Sequence, residues 1–130
     1  MAKRLLASFL QGIDVNPVKR GAKGHDLFPT IRRVRQAIIK GNLVGIFIQE
    51  TRHKDGSLDD LLDGPAIFAK MFPNIPIYAA RITPPSHRPH IFRIDQPFTY
   101  SEVANDSSNN IESISDMTSF IGRRIASLAV

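Results

Sequence analysis

The 130-residue sequence has no cysteine and no tryptophan, and it has only two tyrosines. The missing cysteines exclude disulfides, a thiol nucleophile and any cysteine-based metal site. Aromatic residues interleaved with Lys or Arg for base stacking are also lacking, which counts against a nucleic-acid binder. No apolar run approaches the roughly 20 residues that a helix needs to cross a bilayer. These absences leave a helix-spanned membrane protein and a disulfide scaffold out of consideration.

The composition is that of one ordinary domain with a basic surface. Hydrophobic residues make up 42% of the chain and charged residues 22%, so a packed core is expected. The net charge of +5 favours an anionic partner, such as nucleic acid, an acidic membrane face or a phosphorylated small molecule. Charge alone does not choose among these partners, and it also serves solubility.

Apolar runs alternate with helical patterns, which predicts an α/β fold with a mixed sheet flanked by helices. The predicted strands are residues 43–48, 75–82 and 91–94, and all three read as buried. Helices are predicted over residues 26–40, from Gly64 onward with Ile67, Phe68 and Met71 as core contacts, and at the C-terminus. The first has the apolar stripe Leu27, Ile31, Val34 and Ile38, and Gly41 ends it.

The predicted organisation has three parts: a domain over residues 1–104, a polar linker over 105–115 and a C-terminal helix over 116–130. The linker is the stretch "NDSSNNIESIS", which is rich in turn-forming residues. In the last segment, one apolar face is formed by Met117, Phe120, Ile121, Ile125 and Leu128.

The stretch "GIFIQETRHKDG" indicates a candidate site, because an apolar run ends there in four polar residues. They are Gln49, Glu50, Thr51 and Arg52. In open α/β sheets, ligands bind beyond the carboxyl ends of the strands. A guanidinium at such an end offers a forked donor for phosphate. The alternative is a polar turn with a solvated Arg52.

Several blocks follow one another in an order that resembles the glycerolipid acyltransferases, the family that acylates 1-acylglycerol-3-phosphate. They are "PVKRG", "GNLVGIFIQETRHKDG", "LLDGPAIFAKM", "NIPIYAARI" and "FRIDQPF". In that family a Val-x-Arg block precedes a helix, and a strand then ends in Phe-Pro-Glu-Gly-Thr-Arg. The resemblance runs over residues 2–97. It implies an acyltransferase-like fold and a role in phospholipid biosynthesis.

The resemblance also implies a binding site for the acceptor lipid. Arg20 of the Val-x-Arg block and Arg52 would contact the acceptor's phosphate, and Thr51 matches the motif beside Arg52. The chain departs from the motif at Ile48, Gln49 and Glu50, where the family has Pro, Glu and Gly. The implied substrate-binding residues are Lys19, Arg20, Gln49, Glu50, Thr51 and Arg52.

The catalytic block of the family is the largest departure. In that family a His-x-x-x-x-Asp pair precedes the Val-x-Arg block, and its histidine removes the proton from the acceptor hydroxyl. No histidine precedes Val18, and the first is His25. The chain therefore resembles a family member truncated on its N-terminal side. We assign no catalytic residue, we leave open whether it is an enzyme, and we expect this chain alone to be inactive.

Three other groupings have simple explanations. His90 and Asp95 fit His-x-x-x-x-Asp by letter, but residues five apart on a strand point to opposite faces. His87 and His90 are three apart in a proline-rich loop without a third metal ligand. A polar loop explains the acidic cluster better than a divalent-cation site does. That cluster consists of Asp59, Asp60 and Asp63.

Three functions stay open, in this order: an acyltransferase or a descendant of one, a non-catalytic binder of phospholipid or phosphate, and a small nucleic-acid-binding protein. The first implies a lysophosphatidic-acid-like acceptor and an acyl thioester donor, from coenzyme A or a carrier protein, with no cofactor and no metal. Basic clusters suit an anionic membrane surface. We therefore expect a cytoplasmic, peripheral membrane protein that has no nucleic-acid partner. The clusters are Lys3-Arg4, Lys19-Arg20-Lys23 and Arg32-Arg33-Arg35.

Overall fold

The structure, a computed structural model, describes residues 28–49, 57–58 and 60–129. The chain divides into two compact units, Met1–Gly45 and Ile46–Val130. The described elements are α1 (Phe28–Ile39), α2 (Gly64–Met71), β1 (Ala80–Ile82), β2 (Phe92–Ile94), α3 (Tyr100–Asn105), a 3₁₀ turn (Ser107–Asn109) and α4 (Ile114–Ala126).

In the first unit, α1 confirms the predicted helix. Val34 is buried and Ile31 and Ile38 are half-buried, so these three residues of the predicted apolar stripe lie on the covered side. Leu27 is outside the described residues. The helix ends where Gly41 adopts φ +79°. The Gly41 amide donates to the Ile38 carbonyl and the Asn42 amide to the Ala37 carbonyl, which is the Schellman arrangement. Glycine adopts this left-handed conformation without the steric cost that a Cβ would add.

In the second unit, α2 and α4 pack against each other and supply half of the eight residues of the buried core cluster. Met117 on α4 and Ala66 on α2 are fully buried, and Ile121 is 5% exposed. The predicted apolar face of the C-terminal helix is confirmed, since Phe120, Ile125 and Leu128 also pack against this core. Gly122 on α4 lies close to the side chain of Leu61, which precedes α2. A Cβ added to Gly122 would lie 2.6 Å from Cδ1 of Leu61.

The prediction for the inner face of α2 is wrong for Ile67 and Met71, whereas Phe68 is half-buried. Ile67 and Met71 are exposed, and the buried residues of this helix are Ala66 and Ala69. Alanines three apart lie on one side of a helix. That side meets α4, which leaves Ile67 and Met71 on the exposed side of α2.

The sheet consists of two short antiparallel strands. Ala80 is opposite Ile94, Arg81 opposite Arg93 and Ile82 opposite Phe92. Two further bonds extend the pairing: the Thr83 amide donates to the Ile91 carbonyl, and the Asp95 amide donates to the Ala79 carbonyl, both at 2.9 Å. The fold is therefore a mixture of helices with one small antiparallel sheet, and the larger mixed sheet expected from the sequence is not found in the described residues.

Residues 43–48 were expected to form a buried strand, and this prediction is wrong. Residues 42–47 have no assigned strand or helix, and Leu43 and Phe47 are 91% and 90% exposed. Only Ile48 reaches the core, and its carbonyl accepts a bond from the Leu62 amide at 2.8 Å. A strand needs a neighbour for its backbone groups. In the described part of the chain, β1 and β2 pair with each other instead.

The segment predicted as a linker contains structured turns. Just before it, Thr99 and Glu102 form a capping box at the start of α3. Within it, Asp106 caps the 3₁₀ turn through the Ser108 amide. Asn110 is left-handed, with φ 52°. Ser113 then caps α4. The polar side chains of the linker and of the residues just before it therefore cap helix ends. The spacing Thr-x-x-Glu at Thr99 and Glu102 is the pattern of a capping box.

Candidate functional site

Gln49 is the one predicted binding residue that the structure describes. Its side-chain Nε2 donates to the Ser57 carbonyl at 3.0 Å, and its backbone forms an isolated antiparallel bridge with Leu61. The side chain therefore joins the two ends of the segment that contains residues 50–56. Because the pairing is antiparallel and isolated, Gln49 does not end a parallel strand. The sequence predicted that Gln49 follows the end of a strand in an α/β sheet, and this geometry is not found: Gln49 lies in an isolated antiparallel bridge.

The other predicted binding residues lie outside the described residues. They are Lys19, Arg20, Glu50, Thr51 and Arg52. Their convergence on one phosphate stays a prediction. What the structure adds is the anchor beside them, since the amide at Gln49 is engaged with a backbone carbonyl.

The histidine pair of the proline-rich loop is held by that loop. His87 Nδ1 lies 2.9 Å from the Pro89 carbonyl, which can only accept, so Nδ1 carries the proton. One nitrogen of Arg88 donates to Nε2 of His90 at 2.8 Å, which assigns that ring nitrogen as an acceptor. Asp95 instead pairs with Arg124. His90 and Asp95 thus have different partners and do not form a catalytic pair.

The acidic cluster also has a structural explanation. Asp63 accepts a bond from the buried Thr118 hydroxyl at 2.7 Å, which ties the start of α2 to α4. Asp60 has a positive φ of 54° and lies in a bend, while Asp59 is outside the described residues. Among the residues that the structure describes, no group of three metal-ligating side chains comes together.

Two carboxylates near α4 have a lowered pKa. The pKa of Asp116 lies below its ordinary value mainly because the carboxylate accepts the Glu112 amide, and also because of the Ser113 side chain. The Ser108 hydroxyl and then its amide lower the pKa of Asp106 in the same way. Hydrogen bonds to the charged form favour ionisation. Asp106 caps the 3₁₀ turn, and Asp116 lies in the first turn of α4, which Ser113 caps.

The exposed side of α1 carries a stripe that mixes apolar and basic residues. Phe28, Arg32, Arg35 and Ile39 recur at i, i+4, i+7 and i+11, which keeps them within about 60° around the helix axis. All four are exposed, with Phe28 at 60% and Ile39 at 72%. Arg33 is also exposed, but it lies about 100° from Arg32 around the helix axis, outside the stripe. Residues 28–49 contain no Asp or Glu. The stripe therefore offers cations and large apolar side chains on one surface.

The inner face of the β1–β2 hairpin carries cations that contact α4. Arg81 donates to the Ala126 carbonyl at 3.4 Å and Arg93 to the Ala129 carbonyl at 3.2 Å. These two arginines are directly opposite each other, where like charges normally repel. Ala126 is the last residue of α4, where carbonyls carry partial negative charge, and Ala129 follows three residues later. The bonds to these two carbonyls offset the repulsion. Sequence patterns gave no indication of this arrangement, since the partners are backbone oxygens far along the chain.

Comparison of the chain with protein-family models, with curated proteins and with solved structures found no match. Among the described helices, none combines the length and apolar character that crossing a bilayer requires. Two surfaces therefore carry the functional argument: the α1 stripe, and the hairpin with its loop.

Proposed function

We propose that this chain is an acyltransferase-like protein that binds anionic phospholipid at a membrane surface and does not by itself transfer an acyl group. Its ligand is a lysophosphatidic-acid-like lipid, as the order of sequence blocks over residues 2–97 implies. A peripheral location on the cytoplasmic face of a membrane belongs to the same proposal.

The α1 stripe is the observation that carries the proposal. Basic side chains near an anionic surface each contribute about 1 kcal/mol of attraction. Phe28 and Ile39 lie on the same exposed side as Arg32 and Arg35. Large aliphatic and aromatic side chains beside cations are typical of helices that lie in the bilayer interface. A nucleic-acid backbone is polar and charged, so it offers no apolar surface on which the exposed Ile39 could be buried.

The absence of turnover is supported by the histidines that the structure describes. In the described part of the chain, neither His87 nor His90 is hydrogen-bonded to a carboxylate; their partners are the Pro89 carbonyl and Arg88. A general base needs a group that holds its ring in one orientation and stabilises the charge it acquires.

The experiment is co-sedimentation of the purified chain with vesicles of phosphatidylcholine, with and without phosphatidic or lysophosphatidic acid, over a range of salt concentrations. We expect binding only to the anionic vesicles, with affinity that falls as salt rises. The triple variant Arg32→Gln, Arg33→Gln, Arg35→Gln removes three charges, which predicts a loss of about 100-fold.

The matched control is the triple variant with lysine at the same positions, which keeps the charges and is expected to retain most of the affinity. In the same preparations, a labelled acyl thioester is expected to give no acylated product. Equal binding to neutral and anionic vesicles would refute the proposal. So would turnover that disappears when one histidine is changed to alanine, because it would identify an active base.

A further inference from the structure

We propose that the outer face of the β1–β2 hairpin inserts into the apolar region of an anionic phospholipid bilayer. This inference rests on the proposed function, because it requires binding to such a bilayer, but it assigns the contact to a second surface with different residues. That surface, the outer face, consists of Tyr78, Ala80, Ile82, Phe92 and Ile94.

The outer face is defined by the alternation of side chains along the strands. Between Ile77 and Thr83 the odd-numbered residues are buried or half-buried and the even-numbered residues are exposed. Arg81 reaches the Ala126 carbonyl at the end of α4. Arg93 reaches the Ala129 carbonyl, three residues beyond it. The inner face is therefore directed toward this end of the chain, although Arg93 itself stays exposed. Side chains on the opposite face of a strand point away from that helix. The outer face is therefore directed away from α4.

The outer face is apolar and exposed. Ile82 is 49% exposed, Ile94 59% and Phe92 62%, and Tyr78 contributes a half-exposed ring. None of its residues carries an ionised side chain at neutral pH. Clustered exposed apolar residues mark an interaction surface more often than single ones do.

Charge indicates which partner this face meets. The chain from Gly64 to Ile94 contains no Asp or Glu, whereas Lys70, Arg81, Arg88 and Arg93 are cationic. Arg88 lies exposed in the loop that joins the two strands, beside His87 and His90. The nearest acidic residue along the chain is Asp95, directly after Ile94, and its carboxylate is paired with Arg124. An apolar face with these basic neighbours matches the two layers of an anionic bilayer, phosphate outside and acyl chains within.

A second copy of the chain fits this face less well. A stable interface needs about 800 Å² on each partner. An aromatic side chain can bury only about 150–250 Å². The rings of the outer face are already about half buried, so only the exposed half of each remains to be covered by a partner. A self-contact would also bring like-charged loops together. A bilayer has no such minimum area, because each side chain inserts separately.

The test uses the absence of cysteine, which allows one label to be placed at a chosen position. The variant Ile82→Cys carries a polarity-sensitive fluorophore on the outer face, and Ser119→Cys carries it at an exposed position on α4. With vesicles of phosphatidic acid and phosphatidylcholine, we expect a blue shift at position 82 and quenching by brominated acyl chains. At position 119 we expect neither.

Paired substitutions give the second measurement. Phe92→Ser with Ile94→Ser removes two exposed apolar side chains and is expected to weaken vesicle binding by about 10- to 100-fold, even at high salt. The control Ile67→Ser removes an exposed apolar side chain from α2 and is expected to leave binding unchanged. Circular dichroism checks that all variants keep their helices.

The outcomes separate this inference from the proposed function. Binding that depends on the α1 arginines but leaves the label at position 82 in water overturns the inference and leaves the proposed function standing. A blue shift without vesicles also overturns the inference, since it assigns the face to another copy if the shift grows with protein concentration and to the chain itself if it does not. No binding of the unmodified chain overturns both.

Discussion

Arg124 joins three parts of the second unit through a single side chain. Its Nε lies 2.9 Å from Oδ2 of Asp95, in ion-pair contact although the N–H is not aligned for a hydrogen bond. Its Nη2 donates to the Gln96 carbonyl at 3.2 Å. The guanidinium lies 5.1 Å from the ring centre of Phe98 and 6.0 Å from that of Phe120. These two rings meet edge to face at 5.4 Å.

Replacing Arg124 with alanine is expected to lower the free energy of unfolding by about 2 kcal/mol. A cation over a ring contributes about 0.5–1 kcal/mol, the bond to the carbonyl about 1 kcal/mol, and the partly exposed ion pair less than 1 kcal/mol. Arg124→Lys keeps the charge but loses the planar contact with the rings. Its free energy of unfolding is therefore expected to lie between those of the unmodified chain and Arg124→Ala. Urea unfolding measures both values.

The neighbouring Arg123 provides the control, because it is exposed on the same helix. Arg123→Ala is expected to change the free energy of unfolding by no more than about 0.5 kcal/mol. Equal effects of the two substitutions would contradict the role given to Arg124.

At the scale of elements, helices could be predicted from the sequence better than strands. The stripe around Val34 and the stop at Gly41 carry local information, and so do Met117 and Ile121 on α4. The run at residues 43–48 carries no such information, because an apolar run alone does not say whether another strand is present. The predicted burial of Phe92 and Ile94 is wrong for the same reason: both residues are exposed, because an apolar run does not say whether another element covers it.

The candidate site was predictable only in part. The polar cluster after Ile48 was visible, and so was the basic patch of α1. The bond from Gln49 to the Ser57 carbonyl was not, because a backbone acceptor leaves no mark on the identity of its residue. The stripe from Phe28 to Ile39 has a sequence signal, the spacing i, i+4, i+7 and i+11. Because the stripe mixes apolar residues with arginines, a search for apolar periodicity alone does not detect it.

The N-terminus of α4 predicts a pH dependence. The folded state lowers the pKa of Asp116, so it favours the carboxylate over the protonated acid. This contribution to stability is present above the unfolded pKa of about 3.9. It is lost as the pH falls through the lower folded value. The variant Asp116→Asn is therefore expected to be less stable than the unmodified chain at pH 7, with a difference that shrinks below pH 4.

Urea unfolding at several pH values between 3 and 7 measures that difference. Asp106 has a lowered pKa of its own, so only the comparison between variant and unmodified chain isolates Asp116. A difference in stability that stays constant over this range would show that the carboxylate's ionisation plays no part.

At the scale of the whole molecule, charge is distributed unevenly along the second unit. The chain from Gly64 to Ile94 has four Lys and Arg and no acidic residue. From Asp95 onward it has five acidic residues and two arginines. The basic segment includes the hairpin and its loop, whereas the acidic segment caps helices α3 and α4. An anionic surface is therefore attracted to the first segment and repelled by the second.

The division into two units predicts that residues 46–130 fold by themselves. Every residue of the core cluster, from Ile48 to Ile121, belongs to this unit. The new start at Ile46 cuts an extended, exposed segment, so the truncation removes no helix or strand of this unit. We expect the fragment to unfold cooperatively with a midpoint within about 5 °C of the full chain, since 1 kcal/mol shifts a small domain by about that much. Differential scanning calorimetry of the two proteins measures this, with Met117→Ala in the fragment as a control that should lower the midpoint sharply. A fragment without a cooperative transition would show that residues 1–45 are required for the second unit to fold.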